Sequence, residues 1–456
     1  MSLRNFLAEM HRKGEILEVK EEVSPRFEIS SILKEFDGGP ILYFDAVKRY
    51  DTKIVAGACG TRQRLCWALG VDTENLYQRL ISAWQTPTQP KRVRDGPVSE
   101  VVEKARLSEI PILTHFERDA GRYITSAILS ARSLDGEIEN VSIHRLQVLD
   151  NRHLAIRLVP RHLFKLWQMA KEYKQDLDVA ISIGTHPAVM LAASSPISLG
   201  VSEFDVANTL LSNRLRLIKC ENVNAYAPAD AEIVLEGRIS TEKEVVEGPF
   251  VDATGTYDVQ QKQPVIELIN MMYRRDHVYQ ALLPSGSEHK LLMGLPREAA
   301  IWESVSKVVP SVKAINFSIG GCSWLHAIIS IDKLVDGDAK NALLAAFSAH
   351  PSLKHAVVVD TDIDVFKLNE VEWAIATRFQ AGEDLLVIPK ARGSTLDPSA
   401  NQETGLTTKL GLDATRPLTK PKVKFEPAKI PSSKRATKII HALRKSPLNE
   451  TVVRGL

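Results

Sequence analysis

Apolar residues recur along this chain with two different periods, and the places where one period gives way to the other divide it. Leu3, Phe6, Leu7 and Met10 stand three and four positions apart, which predicts a first helix docked by one face. The charged residues between them break the unbroken apolar run that a secretion signal needs. Pro40-Ile41-Leu42-Tyr43-Phe44 reads as a buried strand and residues 73–84 as an amphipathic helix, so residues 1–105 are expected to form an α/β unit. From residue 106 the alternation shortens to two. Residues 140–148 and 153–158 pair as a hairpin turned through Asp150-Asn151-Arg152, and further strands follow at 231–239 and 264–271. Between them, residues 161–173 carry Leu163, Leu166, Trp167, Ala170 and Tyr173 on one helical face. The middle region, 106–295, is therefore mostly sheet. Beyond it the pattern predicts a helix (297–308), two strands (314–319 and 325–331), a helix (339–349) and a strand (355–360), a third α/β domain over 296–430. A basic tail, 431–456, is helical around residues 436–443 and suits docking on another subunit.

Composition narrows the class. With 456 residues, 44% of them hydrophobic, the chain can bury several cores, which excludes disorder, collagen and small disulfide scaffolds. Its net charge of +2 offers no global field for nucleic acid or anionic lipid. Cys59, Cys66, Cys220 and Cys322 show no C-x-x-C spacing, and a reducing, cytoplasmic setting suits them. The least polar stretch, residues 179–201, holds His186, Pro187, Pro196 and several serines, so no membrane span is expected.

The common catalytic signatures are missing: no G-x-x-x-x-G-K-[ST], no G-x-G-x-x-G after a strand, no H-E-x-x-H and no G-x-S-x-G. What remains is polar residues in strand-like or tightly turned settings. Period two puts Asn140, Ser142 and His144 on one face of their strand and Val141, Ile143 and Arg145 on the other, a pattern that an edge hairpin with one wet face also explains. His162 opens a helix, where it either projects into a cleft or shields the helix start. One histidine, one carboxylate such as Glu203 and one amide oxygen would suit Mn²⁺ or Mg²⁺ better than zinc. In Glu247-Gly248-Pro249-Phe250-Val251-Asp252 a turn holds two carboxylates close, and like charges at short range favour keeping one protonated, as a general acid requires. A solvated acidic loop reads the same way in sequence.

At these positions the chain resembles the UbiD family of prenylated-FMN-dependent decarboxylases. The matching stretches run in order: Asn140-x-x-Ile143-x-Arg145, Pro160-Arg161-His162, Ser202-Glu203-Phe204, residues 228–237, Glu247-Gly248-Pro249-Phe250-x-Asp252, residues 362–365 with 373–378, and Leu396-Asp397-Pro398. The resemblance implies an α+β fold: an N-terminal α/β unit, a central split β-barrel that binds the flavin, and a C-terminal α/β domain that assembles a homo-oligomer, dimer or hexamer. It implies that Asn140, His162 and Glu203 hold Mn²⁺ against the cofactor phosphate, with K⁺ nearby. Ile143, His144 and Arg145, with Arg157, Leu158 and Val159, would line the flavin, and Arg145, Glu247 and Asp252 would form the catalytic network, Asp252 as proton donor.

The resemblance also implies a cofactor supplied by a flavin prenyltransferase. Such chemistry needs one, because CO₂ loss from an alkenoic or aromatic acid leaves charge on an sp² carbon that no side chain delocalises. The run Gly286-Ser287-Glu288-His289-Lys290 through Glu298 resembles the archaeal branch, whose members turn trans-anhydromevalonate 5-phosphate into isopentenyl phosphate in a modified mevalonate pathway. A phosphorylated substrate calls for basic partners, and Lys290, Arg297, Arg274 and Arg275 are candidates. An aromatic acid of the 4-hydroxybenzoate type is the alternative substrate. A flavin-binding oxidoreductase or non-catalytic flavoprotein is the alternative class. The basic tail residues Lys434, Arg435, Lys438, Arg444 and Lys445 could form a nucleic-acid arm, although such a run is more often a solvated face or an oligomer contact, and no nucleic-acid partner is expected.

Overall fold

A computed structural model describes residues 1–428 and 430–444 of the chain. Two compact units divide it, Met1–Thr415 and Arg416–Leu456. The second contains a short 3₁₀ turn, Lys422–Phe425, and a helix, Lys434–Arg444, with no buried residue. Lys445, counted above with the basic arm, and the tail beyond it lie outside the described residues.

The first unit begins with helix α1, Leu3–Arg12, capped by Ser2, whose hydroxyl accepts from the Asn5 backbone N–H while the Asn5 side chain accepts from the Ser2 N–H. Leu3, Phe6, Leu7 and Met10 are buried, as their spacing requires. Arg4, on the opposite face, grips the fully buried Glu232 with Nε 2.9 Å from Oε1 and Nη2 2.8 Å from Oε2. The neighbouring sheet runs Ile16–Val19, Ile41–Phe44, Lys53–Ala56, and then Val278–Gln280, a strand contributed from far along the chain. The predicted helix over 73–84 is a 3₁₀ turn followed by Leu76–Gln85.

The centre is a closed antiparallel barrel of six strands: β1 (Tyr123–Arg132), β2 (Glu139–Val148), β3 (His153–Ile156), β4 (Leu177–Ile183), β5 (Ile233–Glu247) and β6 (Gln261–Tyr273). Their spatial order is β5-β4-β1-β2-β3-β6, and β5 pairs with β6 to close it. The predicted hairpin is β2–β3. The strands expected at 231–239 and 264–271 are both longer, because β5 and β6 continue past the barrel as a two-stranded arm that ends at Glu247. Within the barrel, Gly237 sits at a register shift where a Cβ would come within 2.8 Å of the Glu267 carbonyl, so only glycine fits there. Val101–Lys104 extends the barrel edge beside β6.

Helix α2, His162–Glu172, covers the barrel with Leu163, Leu166, Trp167 and Ala170 buried. Tyr173, predicted on that face, is instead 70% exposed, because the helix ends at Glu172 and Tyr173 falls on its C-cap. Helix α3, Glu203–Leu210, is capped by Ser202. Helix α4 runs Ser287–Val305, starting ten residues before the predicted 297–308 helix. Pro296 lies inside it and hid the continuity. A five-stranded sheet follows, in the order Val312–Phe317, His326–Ile331, His355–Asp360, Leu406–Ala414, Leu385–Arg392, packed by helices Asp338–Ala349 and Leu368–Arg378. Among the described residues no helix is long and apolar enough to cross a membrane.

Candidate active site

Three sequence-predicted residues meet where the β5–β6 arm folds over β2. Arg145 of β2 donates from Nε to Glu247 Oε1 at 3.0 Å, from Nη2 to Glu247 Oε2 at 2.9 Å and from Nη1 to Asp252 Oδ2 at 2.7 Å. A third carboxylate, missed in the sequence, completes the set: Asp258 Oδ2 accepts from Arg145 Nη2 at 2.9 Å and lies 3.3 Å from Arg157 Nη2. A tight turn bridged between Val251 and Tyr257, with Gly255 at φ +76°, folds Asp258 back beside Asp252. Reading Asp252 to Asp258 as a hairpin would have found it. Burial on its own would lower the Arg145 pKa, but the surrounding carboxylates, led by Glu247 and Asp252, more than reverse this and lock the charge on. Phe250 lies under the same guanidinium, 4.8 Å from its ring centre.

Exposure separates the three acids. Glu247 is 0% exposed, Asp258 8% and Asp252 17%, so Asp252 has the freest access to a ligand in the cleft. Asp119 lies nearby, anchored at 2.9 Å by the Phe116 N–H; burial pushes its carboxyl up to about 6 against the pull of backbone N–H groups and of Arg145. His289, in the first turn of α4, receives the Ser285 N–H on Nδ1 at 3.0 Å, which leaves Nε2 to carry the proton of the neutral ring. Burial lowers its pKa while the charge of Asp252 opposes the shift.

The parity of β2 holds. Ser142 Oγ lies 3.0 Å from Asn140 Oδ1 and 2.9 Å from His144 Nε2, so these three share a face opposite Arg145. The β1–β2 pair is irregular at Arg145, and the extra residue is on β1: Thr125 and Ser126 stand opposite Arg145 and bond to the carbonyls of Leu282 and Gln280. Such a bulge increases local twist around the residue it faces. Burial lowers His144 to about 4, and its Nδ1 lies 3.3 Å from the Arg157 carbonyl. Leu158 is buried, Val159 is exposed, and Ile143 packs towards α3.

Asn140 and Glu203 also meet. Asn140 Nδ2 donates to Glu203 Oε1 at 2.9 Å and the Val141 N–H to Oε2 at 2.6 Å. Burial pushes Glu203 up to about 8 despite these bonds, and among the described residues no cationic side chain pairs with it. A buried carboxylate beside a side-chain amide, lacking a positive partner, supplies two donors of the kind a hard divalent ion takes, and among the described residues no group of three His, Cys, Asp or Glu gathers to hold a metal. His162, half-buried at the start of α2, makes no hydrogen bond to either residue.

Known proteins resemble this chain over most of its length. Three family models described as parts of the 3-octaprenyl-4-hydroxybenzoate carboxy-lyase match in series: the N-terminal domain over residues 7–84, the Rift-related domain over 91–287 and the C-terminal domain over 290–414. Anhydromevalonate phosphate decarboxylase of Methanothermobacter thermautotrophicus is 46% identical over 418 residues, 91% of this chain and 97% of that one. The UbiD-class enzyme HmfF from Pelotomaculum thermopropionicum, solved with FMN, superposes with a TM-score of 0.92 at 42% identity, covering 95% of this chain and 98% of its own. An evolved dimeric form of HmfF, solved with prFMN, gives 0.88 at 39% identity and the same coverage.

Proposed function

The chain belongs to the UbiD family, and from that membership we propose that it is a prenylated-FMN-dependent decarboxylase that converts trans-anhydromevalonate 5-phosphate to isopentenyl phosphate and CO₂. The observation that carries the reading is the arrangement at Arg145: one guanidinium holds three carboxylates, of which Asp252 is the most exposed. The 46% identity to a named anhydromevalonate phosphate decarboxylase supports this substrate over an aromatic acid. Bound prenylated FMN supplies the electron sink for charge left on the sp² carbon.

This chain's own residues position and protonate. Arg145, held on three sides, orients the acids around it, and buried Glu247 keeps that guanidinium from turning. Asp252 delivers the proton that replaces CO₂ on the α-carbon, and His289 and Asp119 set the local charge around it. Asn140 and Glu203, with His162 as the third donor, would hold Mn²⁺, which with K⁺ would neutralise the cofactor phosphate. Ile143, His144, Arg157, Leu158 and Val159 would line the flavin. The enzyme is cytoplasmic, assembles as a homo-oligomer through its C-terminal sheet domain, and receives its flavin from a prenyltransferase.

The test is CO₂ release by protein co-expressed with a flavin prenyltransferase, with the bound flavin identified by absorption and mass spectrometry. Turnover of the phosphorylated alkenoic acid and not of 4-hydroxybenzoate is expected. The reverse preference would replace the substrate, and flavin binding without CO₂ release would replace the reaction.

A further inference from the structure

One group of cations has no counter-charge. Arg161, just before α2, and Arg297, on α4, both face the indole of Trp324, their guanidinium carbons 5.9 and 5.7 Å from its ring centre. Arg392, at the end of the Leu385–Arg392 strand, is close enough for its charge to act on Arg161. Among the described residues no carboxylate lies within ion-pairing distance of any of the three, and Arg297 Nε is buried without a hydrogen-bond partner. Trp324 is itself fixed: it is 4% exposed, and its Nε1 donates to Ser394 Oγ at 3.3 Å. Arg161 and Arg392 remain exposed, so the three side chains border open space.

Gathering like charges around one ring is costly unless an anion joins them. Burial and the neighbouring Arg161 pull Arg297 down to about 9; since a guanidinium stays protonated near neutrality, that pull measures an uncompensated charge. We propose that Arg161 and Arg297, both facing Trp324, together with Arg392 near Arg161, form the receptor for a phosphomonoester dianion. Planar forks suit a phosphate, and three of them exceed what one carboxylate can satisfy.

Position points to the substrate. His289 and Arg297 lie on the same helix eight residues apart, a rise of about 12 Å, so α4 runs from the neighbourhood of Asp252 to the arginine cluster. A small acid whose carboxyl group lies near Asp252 would point its phosphate along that helix, toward the side chain of Arg297. The other predicted candidates are placed elsewhere. Arg274 and Arg275 sit in the turn after β6, beside the Arg4–Asp276 pair. Lys290 lines a separate cavity of about 290 Å³ with Arg62, Asn316 and Phe366. The assignment rests on the decarboxylase reading for the identity of the phosphate's bearer, which is the substrate or the flavin, but not for the phosphate site itself.

The experiment uses enzyme purified with and without flavin, as the parent and as the variants Arg297→Gln, Arg297→Lys and Arg392→Gln, the last at an exposed position where folding is not at stake. Inorganic phosphate binding is followed by calorimetry, flavin content by absorption, and KM and kcat with the phosphorylated acid. Arg297→Gln is expected to weaken phosphate binding by about 10- to 100-fold, Arg392→Gln to weaken it less, and Arg297→Lys to recover part of it. A matching rise in KM with unchanged flavin content assigns the site to the substrate; loss of flavin assigns it to the cofactor phosphate. Phosphate binding unchanged in both Gln variants overturns the proposal. The calorimetry needs no turnover, so an enzyme that binds phosphate through Arg297 yet releases no CO₂ would refute the reaction and leave the site standing.

Discussion

Arg145 meets Glu247 edge to edge, with two parallel hydrogen bonds of 3.0 and 2.9 Å to a carboxylate that has no exposed surface. This fork fixes the guanidinium plane, and so fixes where its remaining nitrogen, Nη1, meets Asp252. Removing the cation strands Glu247 in the interior. Arg145→Met is expected to lower unfolding free energy by about 3–5 kcal/mol, measured by urea titration, and to abolish turnover. Arg145→Lys keeps a charge but loses the fork; it should retain most of the stability and little of the activity.

Asp252→Asn keeps the size of the side chain and its capacity to accept a hydrogen bond from Arg145 but cannot give up a carboxyl proton. Turnover should fall by about 10²–10⁴-fold while flavin content, read by absorption, stays the same. Equal turnover in the variant would falsify the proton-donor role.

Asp119 gives a pH-dependent test. Its carboxyl is raised from 3.8 to about 6 by burial, so the folded state holds its proton more tightly than the unfolded state does. The stabilising contribution is complete below pH 3.8 and is lost as pH rises through about 6. Asp119→Asn should therefore be more stable than the parent at pH 7, by about 1–2 kcal/mol after allowance for partial exposure, and no more stable at pH 3.5. Denaturant midpoints at the two pH values decide it.

Glu203→Gln removes the negative charge from the Asn140 pair while preserving its shape. Manganese content, measured by plasma mass spectrometry after dialysis, should drop by at least about tenfold, with flavin retention falling alongside. Full retention of the metal would place it elsewhere.

Arg4 tests how α1 is held. It is the side-chain cation bonded to the fully buried Glu232, which also receives the Val278 N–H at 3.0 Å. Arg4→Ala should cost about 2–4 kcal/mol by thermal or urea unfolding, and the conservative Arg4→Lys less.

Periodicity alone located α1, the β2–β3 hairpin, and the first three strands and the Asp338–Ala349 helix of the C-terminal sheet, because each of these buries one face and local spacing records it. The motifs around Asn140, Arg145, Glu203, Glu247 and Asp252 likewise marked the residues that meet. Closure of the barrel was not written locally: β6 returns to pair with β3, Val265 opposite Ala155, and Val278–Gln280 crosses back to a sheet begun at Ile16. Asp258 and Asp119 escaped notice because a carboxylate's role depends on which guanidinium the folded chain brings within 3 Å, or on how deeply it is buried. Arg297 was among the residues the sequence offered for a phosphate, but its grouping with Arg161 at Trp324 and its lack of a partner were hidden for the same reason. A sequence records which charges are present, but only the tertiary structure decides which of them are left without a partner, because pairing is a matter of distance and desolvation between residues hundreds of positions apart.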